Sequence, residues 1–211
     1  MFYWTKTNKL VQWLFHNQIW FIPNTQNKVF LTFDDGPTPE ITPWVLDVLR
    51  KHNVKATFFC IGQNIQKYPE LFQRIIAEGH SVGNHTHNHV LGWKTSTKNY
   101  LKNIEQCQTE IAKEKAEESK IFRPPYGKLT PSQSKATRKL GYKIIMWDIL
   151  SADFDSTISP QECFENSTNK VESGSIIVFH DSVKAFKNLQ YALPKAIDFY
   201  KEKGLKFDII S

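Results

Sequence analysis

Short apolar runs alternate along this chain with longer stretches in which apolar residues recur every three or four positions. The runs Val29–Phe33, Ala56–Cys60, Ser81–Gly83, Lys120–Arg123, Lys143–Trp147, Ser175–Phe179 and Lys206–Ile210 read as seven strands. Between them lie helical stripes. Leu71, Phe72, Ile75 and Ile76 form one, Tyr100, Leu101, Ile104, Cys107 and Ile111 a second, and Leu189, Leu193, Ala196, Ile197 and Tyr200 a third. The punctuation agrees. Gly79, Gly141 and Gly204 each stand just before a strand, where a helix can close in left-handed backbone. Pro43, Pro69, Pro131 and Pro160 stand where helices begin, with Thr42, Thr130 and Ser159 expected as N-caps. Strands alternating with helices predict a parallel α/β sheet, open or closed. The mixed-sign run from Lys113 to Glu118 reads as the solvated end of a helix.

Composition narrows this picture without changing it. A chain of 211 residues, 40% of them hydrophobic, is one domain with enough apolar surface for a core, so disorder is excluded as the main state. Cys60, Cys107 and Cys163 are far apart and odd in number, which reads as buried thiols in a reducing compartment. Apolar residues crowd Leu10–Ile22, but His16, Asn17 and Gln18 interrupt them. No stretch reads as a membrane span or a secretory signal. Residues 1–28 are therefore expected to be a strap packed on a catalytic domain at 29–211, with an interfacial anchor as the competing reading. A cytoplasmic or unassigned location, a monomer and no membrane contact follow as expectations. The net charge of +6, with six Trp, seven Tyr and fifteen Phe, invites a nucleic-acid reading. The lysines are scattered, however, so no nucleic-acid partner is expected.

Chemistry in such a fold belongs at the C-terminal ends of the strands, and polar residues gather there. The first strand runs into Asp34-Asp35-Gly36-Pro37. Adjacent carboxylates are costly unless a cation or donor relieves them. In extended chain they point to opposite sides, so one can bind a metal while the other faces substrate; a simple capped turn is the alternative. After the third strand, His85 and His89 stand four apart, a spacing that puts both imidazoles on one face of a helical turn. Two histidines and one aspartate suit zinc, cobalt, manganese or iron with positions left open. His87 is expected on the other face, and His80 near the strand start. Arg123-Pro124-Pro125-Tyr126 follows the fourth strand, with Arg123 able to orient a carboxylate. The sixth strand ends in His180, whose pKa rises beside a carboxylate.

Four of these segments, in order, resemble the polysaccharide deacetylase family, carbohydrate esterase family 4, which contains the NodB homology domain. They are Thr32-Phe33-Asp34-Asp35-Gly36-Pro37, His85-Thr86-His87-Asn88-His89, Arg123-Pro124-Pro125-Tyr126 and Ile176-Ile177-Val178-Phe179-His180. The resemblance runs from about Val29 to the C-terminus. It implies a distorted (β/α) barrel of about seven parallel strands, related to the TIM barrel. It also implies an enzyme that removes acetyl from N-acetylated sugars of chitooligosaccharide or peptidoglycan type, releasing acetate. Carried over, Asp35, His85 and His89 hold one divalent metal, with zinc ahead of cobalt, manganese, iron or nickel. Asp34 is the base, His180 the acid, Arg123 orients the base, and the Tyr126 amide donates to the oxyanion. Leu150-Ser151-Ala152-Asp153-Phe154 departs from the family pattern, since Leu150 stands where an acid is common. Asp153 is then favoured over Asp148 as the partner of Arg123. Phe154, Val178, Pro125 and Trp93 are expected around the substrate pocket, with Phe33 as a further wall. The competing readings are an amidohydrolase of the same fold acting on a small non-sugar amide, and an inactive carbohydrate-binding homologue.

Overall fold

The computed structural model describes residues 3–114 and 120–211; positions 115–118 of the mixed-sign run lie outside the described residues. Among the described residues eight strands form one parallel sheet. They are β1 (Lys28–Asp34), β2 (Thr57–Cys60), β3 (Ser81–Asn84), β4 (Ile121–Phe122), β5 (Lys143–Ile144), β6 (Ile149–Leu150), β7 (Ile176–His180) and β8 (Lys206–Phe207). Seven of them follow the order β5-β4-β3-β2-β1-β7-β6 and curl into a half-barrel. β8 pairs only Lys28 and Val29, at the start of β1. The helices are α1 (Lys9–Leu14), α2 (Ile41–Lys51), α3 (Gly62–Lys67), α4 (Pro69–Ala77), α5 (Thr97–Glu114), α6 (Pro131–Lys139), α7 (Pro160–Thr168) and α8 (Phe186–Glu202).

The central strand β1 shows how the sequence sorts itself. Its residues after Lys28 are all buried, as expected for a parallel strand covered on both faces. Alternation sends Val29, Leu31 and Phe33 to one face, where they pack with Val45, Leu46 and Leu49 of α2 and Leu189, Leu193 and Ile197 of α8. Phe30 faces the other way and meets Phe59, Ile145 and Ile176. Thr32 and Asp34 share that second side by the same period of two. The strand ladder therefore points Asp34 into the half-barrel. Phe33, expected to wall the pocket, is instead fully buried in the core, with ring centroids 5.0 Å from Phe58 and 6.3 Å from Phe179.

Two helix starts have the expected chemistry. Thr130 and Ser159 each cap α6 and α7 in reciprocal capping boxes, with Pro131 and Pro160 in the first turn. Thr42 does not cap α2; the N-cap is Glu40, and the Thr42 hydroxyl donates to Asp181 instead. The run Lys143–Trp147 is not one strand. β5 ends at Ile144, the chain turns, and β6 reappears at Ile149 to pair with β7. A two-residue strand carries no periodicity, so β6 left no trace in the hydrophobic pattern. The three cysteines are buried free thiols.

The edge strands β5 and β6 are not paired with each other among the described residues. Residues ahead of β1 lie along both. Leu150 N donates to Thr5 O and Thr7 N to Asp148 O, at 2.8 and 2.9 Å. Further on, Ile19 N donates to Ile144 O and Met146 N to Ile19 O, at 2.8 and 2.7 Å. These bonds occupy edge groups that would otherwise face solvent. Lys6 reaches the buried Asp148 at 2.6 Å and Glu172 at 2.9 Å. Leu10, Trp13, Leu14 and Phe15 remain exposed. No helix among the described residues is long and apolar enough to cross a membrane.

Candidate active site

At the C-terminal end of the sheet, a cavity of about 380 Å³ is lined by Asp34, Asp35, His85, His89, Tyr126, Phe154 and His180, together with Tyr3, Lys128, Trp147, Leu150, Ser182 and Lys184. Both aspartates line it. Asp35 has φ 82°, which takes it out of strand geometry, so the expected opposite orientation of the pair does not occur. Non-glycine residues held in this region cost energy and mark over-determined sites.

Asp34 is almost fully buried and accepts a 2.7 Å bond from Arg123 Nη1. Arg123 has no exposed surface. Its Nη1 also donates to Thr32 Oγ1 at 2.7 Å, its Nη2 to Met146 O at 2.9 Å and its Nε to Ile145 O at 3.2 Å. The guanidinium carbon lies 4.1 Å from the centre of the Phe59 ring. Burial works against this charge and the Asp34 carboxylate supports it. Asp34 is thus itself the acid that Arg123 binds, and Asp153 is not; Leu150 leaves no gap in the network because Thr32 and two backbone carbonyls complete it.

Asp153 sits instead under His180. Its Oδ1 lies 2.7 Å from His180 Nδ1, and its Oδ2 accepts from the His180 backbone N at 2.7 Å. Burial lowers the His180 pKa, but the Asp153 charge and hydrogen bond, with Asp35 and Asp34 beyond, push it up to about 9. The neighbouring Asp181 faces away. It accepts from Gly36 N at 3.0 Å and from Thr42, and burial pushes its carboxyl up to about 8 despite those bonds. Asp148, the other acid weighed for Arg123, is held by Lys6 and by Ser175.

Asp35, His85 and His89 form the one potential metal cluster among the described residues, with one ligand atom from each lying within 4.8 Å of the others. Asp35 Oδ1 is 3.1 Å from His89 Nε2 and 3.7 Å from His85 Nε2. His85 Nδ1 donates to Arg123 O at 2.8 Å, which leaves the Nε2 lone pair facing the cluster. Burial lowers the His85 pKa to about 4, so the ring is neutral near pH 7 and available as a ligand. Burial opposes ionisation of Asp35, yet the His89 bond and the nearby His180, His85 and His89 hold its carboxyl well below the usual range. The donor set of two imidazoles and one carboxylate, with His85 fixed from behind by Arg123 O, fits a divalent metal. His80 is buried at the strand start, where its Nδ1 accepts from Ala56 N, and His87 is held through its backbone N by Asn103.

Three expected pocket residues lie elsewhere. Val178 and Pro125 are buried in their own elements and do not line this cavity, and Trp93 lines an adjoining one. Phe154 does line it, edge-on to the His180 ring at 5.1 Å. Tyr126 has φ 60°, and its ring stands 4.7 Å from that of His89. Tyr3, Trp147, Lys128 and Lys184 carried no signal in the sequence, because only the fold brings their segments to the strand ends.

An α/β half-barrel that gathers an Asp-His-His cluster, an arginine-held carboxylate and a carboxylate-held histidine on one cavity has the makings of a hydrolase active site. The sequence model described as "Polysaccharide deacetylase" matches residues 22–145. The chain belongs to the polysaccharide deacetylase family and is a polysaccharide N-deacetylase, a hydrolase. It is 33% identical over 193 residues to a peptidoglycan-N-acetylglucosamine deacetylase of Bacillus cereus, spanning 91% of this chain and 90% of that protein. It is 36% identical over 179 residues to chitin deacetylase 2 of Saccharomyces cerevisiae, spanning 82% and 56%. Its fold superposes with a TM-score of 0.88 on the crystal structure of a peptidoglycan N-acetylglucosamine deacetylase in complex with 4-naphthalen-1-yl-N-oxidanyl-benzamide, at 33% identity and covering 95% and 94% of the two chains.

Proposed function

We propose that this chain hydrolyses the acetamide of an N-acetylated sugar in a peptidoglycan-type glycan, releasing acetate and leaving the free amine. The observation that carries the reading is the convergence of three groups on one cavity: Asp34 on Arg123, His180 on Asp153, and the Asp35-His85-His89 cluster. Asp35, His85 and His89 would hold the divalent metal, zinc ahead of cobalt, manganese, iron or nickel. Such a metal supplies Lewis acidity and a water of lowered pKa.

The protein groups divide the remaining work. Arg123 holds Asp34 Oδ1, which keeps the carboxylate oriented and leaves its second oxygen to take a proton from the attacking water. The water oxygen bonds to the acetamide carbon, and the Tyr126 amide donates to the oxygen that gains charge. One such donor is worth about 3 kcal/mol of barrier. His180, protonated at neutral pH, gives its Nε2 proton to the departing nitrogen as the C–N bond breaks. Asp153 fixes the opposite ring nitrogen and stabilises the imidazolium. Phe154 packs edge-on against that ring.

The test is acetate release from a panel of peptidoglycan fragments, chitin oligomers, acetylxylan and small amides, with and without added divalent metal. Peptidoglycan fragments are expected to lead. Asp34→Asn is expected to abolish release while one metal per chain remains, and His85→Ala to lose the metal. Full activity in Asp34→Asn, or release confined to small amides, overturns the proposal.

A further inference from the structure

The φ of 82° at Asp35 is a conformation that persists only where neighbouring groups over-determine it. Those groups lie outside the reaction cavity. The peptide before Asp35 is held through Asp34 O, which accepts from Asp181 N at 3.1 Å. The peptide after it is held at both ends. Asp35 O accepts from Asn64 Nδ2 at 2.8 Å, and Gly36 N donates to Asp181 Oδ1 at 3.0 Å. The planes of these two peptides define φ and ψ of Asp35, so both torsions are fixed. Gly36 leaves room for the carboxylate: a β-carbon there would overlap both Asp181 oxygens. Asp181 Oδ2 in turn accepts from Thr42 Oγ1, whose oxygen accepts from Thr38 N at 2.7 Å.

We infer that Asn64 and Asp181 are positioning residues for the metal cluster. They pin the peptide between Asp35 and Gly36, and so set where the Asp35 carboxylate stands relative to His85 and His89. The inference rests on the reading of Asp35, His85 and His89 as metal ligands. Neither Asn64 nor Asp181 lines the reaction cavity, so each acts through Asp35.

A ligand side chain is ordinarily oriented by a hydrogen bond from behind. His85 is held that way, through Nδ1 and Arg123 O at 2.8 Å. Asp35 is held differently. Among the described residues the polar partners of its carboxylate are the two histidines, at 3.1 and 3.7 Å. Its orientation therefore has to come from its backbone, which is where Asn64 and Asp181 bind.

The segment that carries Asn64 also holds the histidines. Ile61 N donates to Gly36 O at 2.9 Å, on the aspartate side. Gly62 N donates to Thr86 O at 3.0 Å and Gln63 N to His87 O at 2.9 Å, on the histidine side. Residues 61–64 thus bridge the two loops that bear the three ligands. The first three bonds of the bridge come from backbone N–H groups. The fourth needs a donor on the side chain, which the Asn64 amide supplies.

Positioning and plain stabilisation differ in where a loss is felt. Without the Asn64 bond, the metal-free chain can relax Asp35 toward ordinary backbone, and relief of strain offsets part of the lost bond. Metal binding requires the clamped geometry, so the loss falls on metal affinity.

The experiment titrates zinc into the metal-stripped chain against a chromophoric chelator and follows melting of the same metal-free samples. Wild type and His85→Ala set the range. Asn64→Leu keeps the size of the side chain, removes the donor and lies at a half-buried position. Its zinc affinity is expected to fall at least about tenfold, as for other groups that orient a ligand. Its metal-free melting temperature is expected to stay within about 3 °C, the shift that one lost bond gives in a chain of this size. Asp181→Ala is expected to lose zinc affinity likewise. Asp181→Asn keeps an oxygen for Gly36 N and is expected to restore most of it. Cobalt(II) bound in place of zinc reports the ligand geometry, and its visible absorption is expected to change in Asn64→Leu and to be kept in Asp181→Asn.

Zinc affinity unchanged in Asn64→Leu overturns the role of Asn64. Asp181→Asn binding zinc as weakly as Asp181→Ala overturns that of Asp181. Lowered melting with the zinc affinity of the folded chain intact marks a structural bond alone and overturns positioning. Should Asp181→Ala fail to fold, Asn64→Leu and a comparison of Asp181→Asn with wild type decide. Zinc absent from the wild type, or retained in His85→Ala, overturns instead the metal assignment on which the inference rests.

Discussion

Replacing Asp153 with Asn tests how the site keeps a histidine protonated. His180 titrates at about 9 against an ordinary 6.5, and its Nδ1 meets one Asp153 oxygen while its backbone N meets the other. That rise is worth ~3 kcal/mol in favour of the imidazolium. Asparagine keeps one accepting oxygen, which can still take the backbone N–H. Its amide nitrogen then faces Nδ1 and favours the neutral ring. Burial, which lowers the His180 pKa, is no longer opposed by its main partner, so the value should fall to 6.5 or below. At pH 8 the protonated fraction then drops from about nine-tenths to about 3%, and kcat/KM falls about thirtyfold or more. The alkaline limb of the kcat/KM profile should move from near pH 9 to below pH 7, and imidazole NMR shifts should report the same change. An alkaline limb unmoved in Asp153→Asn would refute the account. The pair also bears on stability. The folded value of His180 lies above its unfolded value, so the stabilisation is complete below about pH 6.5 and is lost as pH rises through about 9.

Other substitutions probe the scaffold. Arg123→Met leaves the buried Asp34 carboxyl without its cation; a loss of about 3–5 kcal/mol is expected in guanidinium unfolding, and an unchanged midpoint would remove Arg123 from this role. Lys6→Met leaves the buried Asp148 with Ser175 and Gln12 as partners, costing about 1–3 kcal/mol and lowering the melting temperature. An unaltered melting curve would mean that the leading segment adds no stability through this pair. Phe33→Ala opens a cavity between Phe58 and Phe179 and should cost about 3–5 kcal/mol in urea unfolding, with metal binding intact in the folded fraction. A cost below about 1 kcal/mol would place Phe33 outside the core.

Much of this protein was legible in the amino-acid order, because its main signals are local. Period-two alternation in β1 sorts core residues from Asp34, whereas His85 and His89 meet, 5.1 Å between ring centroids, through a bend with positive φ at Thr86 and His89 and not on the expected helical turn. Proline and capping residues start α6 and α7 through bonds that span three residues. Where a partner is distant, local pattern is silent. Arg123 holds Asp34, as the resemblance implied, but takes no second acid in Asp153, because β1 delivers both Thr32 and Asp34 to the interior face of the sheet, within 2.7 Å of the guanidinium. Asp153 was left to His180 by the pairing of β6 with β7, which brings Ser151 N to Val178 O and the following loop beneath the histidine. Strand β6 itself is two residues long and exists because the neighbouring ladder receives it. The leading segment reads in sequence as an apolar strap with no destination. Tertiary structure alone places it along two unpaired sheet edges, where backbone groups need partners, and so brings Tyr3 into the lining of the reaction cavity.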